Sequence, residues 1–130
     1  MDEKRSLISE LIALSKIDGY VSENESGLIK QMGNLIGLSD KEILDLFEHP
    51  APFKAPAEHI ERITQFHRMV LMANVDHKVE NSEIEFLKFA GIKLGLNEQA
   101  INEVLNRMSD FPDNVIPPDE LISIYKKHMN

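Results

Sequence analysis

The sequence predicts an all-α fold of seven helices in two pseudo-symmetric halves, and three observations carry that prediction. The segment Ile12 to Glu25 lies over Val70 to Glu83 without a gap, at an offset of 58 residues. Asp18, Val21, Glu25, Lys30, Gly33 and Gly37 thereby match Asp76, Val79, Glu83, Lys88, Gly91 and Gly95, the signature of an internal repeat. Apolar residues recur at helical three- and four-residue spacing between recognisable helix starts and stops. Strand-like alternation and Asn-Gly hairpin signals are missing from the whole sequence.

Each element follows in order. Leu7, Ile8, Leu11, Ile12 and Leu14 predict a first helix from about Glu3 to Ile17, ended at Gly19, a residue suited to the left-handed conformation past a helix end. Ser22 and Glu25 form a capping box that opens the second helix, with Leu28, Ile29, Met32, Leu35 and Ile36 turned inward and Gly37 as the stop. Ser39 and Glu42 repeat the box ahead of a short third helix carrying Ile43, Leu44, Leu46 and Phe47. Pro50, Pro52 and Pro56 mark a linker, with Phe53 tucked over the joint and Pro56 placed to open the fourth helix. That helix buries Ile60, Ile63, Phe66, Val70 and Leu71 and runs to about Asn74. Helices from about Ser82 to Leu94, Asn97 to Met108 and Asp119 to His128 complete the set, the last after Pro112, Pro117 and Pro118. The halves span about 3–49 and 57–108, and the closing helix about 118–128.

Composition bounds the function. With 130 residues, 42% of them apolar, the chain suits one globular domain that buries roughly two-thirds of its surface. A net charge of −8 and scattered Lys and Arg disfavour nucleic acid and anionic membrane surfaces, and favour basic partners or cations. The chain has no cysteine, which excludes disulfides, thiolate catalysis and cysteine-type zinc sites. The charged N-terminus has no apolar stretch after it, so a soluble cytoplasmic protein without membrane insertion is expected.

Candidate chemistry resides in the repeated corner, Asp-x-x-Val-x-x-x-Glu. Each Asp ends one helix, each Glu sits a turn into the next, and Val21 and Val79 plug the corners into the core. Two corners related by a pseudo-two-fold axis bring Asp18, Glu25, Asp76 and Glu83 into one acidic cluster. Four converging oxygen donors suit a hard divalent cation, Ca²⁺, Mg²⁺ or Mn²⁺. The structural alternative is that Glu25 only closes its capping box and Asp18 only serves its turn. In that case the domain is a metal-independent interaction module whose acidic face recruits a partner. An EF-hand is excluded: counting from Asp18, the third and twelfth positions are Tyr20 and Ile29, and from Asp76 they are Lys78 and Leu87.

With Asp18-Gly19-x-Val21 and Glu25, its second copy and the seven helices in place, the chain resembles the TerB-like family of tellurite-resistance proteins from about Leu7 to Leu105. The resemblance implies an all-helical fold, an acidic metal-binding surface and a role in stress response. By motif it assigns Asp18, Glu25, Asp76 and Glu83 as the site. The sequence departs from the family pattern at Ile17, where the family often has Ala, and at His77, where it has Gly.

Other constellations support no catalysis. His59 and His67 lie eight residues apart on one helix, too far to chelate one ion, and read as rim positions. No phosphate loop, nucleophile elbow or oriented triad is present. Met32, Met69, Met72 and Met108 fall at core spacing. The sequence therefore predicts a non-enzymatic protein.

Overall fold

Serine capping boxes fix where two of the helices begin. Ser22 Oγ accepts the Glu25 N–H at 3.1 Å and Glu25 Oε1 accepts the Ser22 N–H at 3.0 Å; Ser39 and Glu42 repeat both bonds at 3.1 Å. Each box satisfies amide donors that the first turn leaves without helical partners. The computed structural model describes residues 2–17, 19–74, 80–111 and 116–128. Among these are seven α-helices and no strand: α1 (Asp2–Ser15), α2 (Glu23–Leu35), α3 (Asp40–Glu48), α4 (His59–Ala73), α5 (Asn81–Lys93), α6 (Glu98–Arg107) and α7 (Pro118–Lys127), with a 3-10 turn at Met108–Asp110. None of the described helices is long and apolar enough to cross a membrane.

Helix stops are as regular as starts. Gly37 and Gly95 take φ of +102° and +80°, and the Leu38 and Leu96 amides reach back to the Gly33 and Gly91 carbonyls at 2.9 and 3.0 Å. This is the glycine-terminated pattern that satisfies final-turn carbonyls. Gly33 and Gly91 have a second role, since a Cβ on either would run into the Ile43 or Ile101 side chain respectively. The missing side chains let α2 approach α3, and α5 approach α6. These devices recur at the spacing of the sequence repeat.

One core joins all seven helices. α1 packs against α2, α3 and α4, α4 also against α5, and α6 against both α5 and α7. Leu7, Ile8, Leu11 and Leu14 of α1 are fully buried, as are Phe66, Met69 and Met72 of α4. The linker crosses α1 on hydrogen bonds that the apolar pattern did not announce: buried Ser9 and Ser6 accept the Ala51 and Lys54 amides at 2.9 and 2.8 Å. Phe53 packs half-buried on the core, beneath the Lys93 ammonium at 4.6 Å. Lys93 also bonds Glu10 at 2.6 Å, so a cation–π contact and an ion pair tie α1, the linker and α5.

Three expectations are corrected. Leu35 is 79% exposed and Ile60 is 47% exposed rather than inward. The buried line of α2 runs through Ile29 and Gly33, which leaves Leu35 on its solvent shoulder. α4 starts at His59, three residues after Pro56, whose carbonyl instead accepts Arg62 Nε at 2.7 Å. α5 starts at Asn81, about where expected, with Glu80 as N-cap, the repeat counterpart of Ser22.

Candidate functional site

The first acidic corner joins α1 to α2. Beyond Ser15 the chain tightens, with Gly19 N–H donating to the Lys16 carbonyl at 3.0 Å and Gly19 at φ +102°. Val21 packs half-buried against the core, as its corner position predicts. The capping box then places Glu25 in the first turn of α2, where the helix dipole favours an anion. Glu25 is only 7% exposed and is the one buried acid among the described residues.

Its surroundings differ from those of Glu42, which occupies the same place in the α3 box. Glu42 is more exposed and bonds Arg5 at 2.7 Å. The Ser39 backbone N–H and hydroxyl, together with Arg5, hold the Glu42 carboxyl below its usual range. Glu25 has no Lys, Arg or His within ion-pair distance among the described residues.

The second corner joins α4 to α5. Buried Asn74 caps α4, its Nδ2 donating to the Val70 carbonyl at 2.8 Å, while its Oδ1 has no hydrogen-bond partner among the described residues. On the far side Glu83 Oε1 accepts the Glu80 N–H at 3.0 Å, and Glu83 is half-buried. Glu25 and Glu83 are thus brought to equivalent places, each in the first turn of its helix. Asp18, Asp76, His77 and Val79 lie outside the described residues. Among those described, no three carboxylate or imidazole groups gather where a cation would be held.

The histidines and methionines take the places their spacing suggests. His59 is exposed, its ring edge-on to Tyr125 at 6.4 Å. Burial, and then the neighbouring Arg68 charge, lower the basicity of His67. Met69, Met72 and Met108 are core residues, and Met32 packs half-buried against the core.

Sequence reasoning missed a charged node between α6 and α7. Glu103 accepts Lys127 Nζ at 2.7 Å, His128 Nε2 at 2.9 Å and Arg107 Nη1 at 3.2 Å. Lys127, then His128 and Arg107, pull its carboxyl down to about 2. The Glu103–Arg107 spacing signalled one of these pairs; the other two depend on where α7 docks. No family model, curated protein or solved structure matches this chain.

Proposed function

We propose that the chain is a non-enzymatic, TerB-like domain of two pseudo-symmetric halves that binds a divalent cation at its acidic corners and acts in a cytoplasmic stress response. Ca²⁺, Mg²⁺ and Mn²⁺ are the ions whose hard-oxygen preference fits the available donors. Asp18 and Glu25 hold the cation in the first half, Asp76 and Glu83 in the second.

The observation that carries this reading is Glu25. A buried carboxylate is costly unless hydrogen-bonded and paired. Glu25 has the hydrogen bonds of its box but, among the described residues, no cationic neighbour such as Glu42 has in Arg5. A cation at the corner supplies the missing charge. Asn74 adds support at the second corner, since an amide oxygen with no partner among the described residues, two residues before Asp76, is a donor type that hard cations accept.

The test is an NMR titration of ¹⁵N-labelled protein with each ion, alongside the Asp18→Asn/Asp76→Asn double variant. Saturable shifts centred on both corners, lost in the double variant, are expected. A flat response up to millimolar metal would sink the proposal and leave Glu25 and Glu83 as helix caps.

A further inference from the structure

The surface between α5 and α6 differs from its counterpart one repeat earlier in a way the fold does not require. Phe89 and Ile92, three residues apart on α5, are 64% and 52% exposed. They edge a cavity of about 220 Å³ that Ile101 also lines, with Glu85, Lys88 and Glu98 around it. At the matching positions of α2 the sequence has Gln31 and Asn34, both exposed and polar. A helix of this repeat therefore accepts polar side chains on that face, and packing alone does not explain the apolar pair.

The flanking charges differ as well. Lys30 and Asp40 form an ion pair at 3.5 Å between α2 and α3. Their counterparts Lys88 and Glu98 make no ion pair with any described residue, and neither does Glu85. The first groove is bridged by its own charges; the second presents apolar side chains beside two available carboxylates. The Phe89 ring already has the Lys93 ammonium 5.4 Å from its centroid, so its face accepts a cation.

We infer that the α5–α6 groove docks a basic amphipathic helix of a partner protein. Apolar residues of that helix, spaced by three or four, cover Phe89 and Ile92, and its Lys or Arg side chains meet Glu85 and Glu98. This is recognition of a helix by its apolar face in a groove, with complementary charge setting specificity. The net charge of −8 draws a basic partner toward the surface and opposes a second copy of the chain, which would bring like acids together. Docking at this groove is independent of cation binding at the corners.

The probe is an 18-residue peptide of Leu and Lys with one apolar helical face, titrated into the ¹⁵N-labelled full chain in EDTA. A scrambled peptide of equal composition serves as control. Saturable shifts confined to α5 and α6 are expected, with affinity at least tenfold weaker in Phe89→Gln/Ile92→Asn and unchanged in Leu35→Ser. The double variant introduces the residues found on α2, so its fold should persist, as circular dichroism would show. Equal binding of the scrambled peptide, undiminished binding by the double variant, or no binding at millimolar peptide would each overturn the inference. So would a concentration-dependent dimer that the double variant abolishes, which would assign the groove to a second copy.

Discussion

Three helical glycines with one residue type take two different parts. A Cβ at Gly27 would meet nothing within 4 Å, whereas at Gly91 it would meet Ile101 Cγ1 at 2.9 Å and Phe66 Cε1 at 3.1 Å. Gly33 meets Ile43 Cγ1 at 2.8 Å in the same way. Alanine in a helix interior is favoured over glycine by about 0.5–1 kcal/mol. Forcing a methyl into a packed core costs about 1–3 kcal/mol. Gly27→Ala should therefore stabilise by about 0.5–1 kcal/mol, and Gly33→Ala and Gly91→Ala should destabilise by about 1–2 kcal/mol after that helical gain is included. Urea midpoints at constant m-value measure all three; a rise for Gly91→Ala would show that Ile101 moves aside freely.

Among elements, α7 shows how charge and burial cooperate. Leu121, Ile124 and Tyr125 are buried, and burial raises the Tyr125 hydroxyl above its usual range. Glu103 then gathers Lys127 and His128 from the end of α7 with Arg107 from α6. Its carboxyl titrates at about 2 in the folded protein against an ordinary 4.5. A depressed acid contributes stability above its unfolded value and loses it as pH falls toward the folded one. The melting temperature of the wild type should accordingly exceed that of Glu103→Gln at pH 7, with the gap closing between pH 4.5 and 2. A gap that stays constant down to pH 2 would remove Glu103 from the account of how α7 is held.

For the whole molecule, the decisive contact is between α1 and α4, because it joins residues that the repeat sets in different halves. Gln65 Nε2 reaches the Glu3 carbonyl at 3.4 Å beside it, and the Glu10–Lys93 pair spans the same divide. Each half alone would expose the face that the other covers, and a chain below about 60 residues has little core to compensate. A fragment of residues 1–56 should be largely unfolded by circular dichroism and amide dispersion. It should gain helicity when mixed with residues 57–130. A fragment that folds cooperatively alone would show that the halves are independent units.

The local code was legible because its signals act over three or four residues. Ser22, Ser39 and Asn97 start helices, Gly19, Gly37 and Gly95 take the left-handed turn, and the apolar spacing marks most of the core. The pattern misled at Leu35 and Ile60 because periodicity gives a stripe without saying how wide a neighbouring helix will cover it. For the candidate site, the sequence singled out the acids and the capping box of Glu25, and the structure added the box that Glu83 closes with Glu80 and the burial of Glu25 with no cationic neighbour among the described residues.

The sequence by itself thus determined helix number, the capped starts and glycine stops, and the repeated acidic motif, since hydrogen bonding and steric preference at those positions are satisfied within one turn. Tertiary structure alone decided that Ser6 and Ser9 hold the linker, that Glu103 gathers Lys127, His128 and Arg107, and that Phe89 and Ile92 remain uncovered beside Glu98. Those outcomes depend on which surfaces meet when separate helices pack, and the energy of such contacts belongs to pairs of residues far apart in the chain.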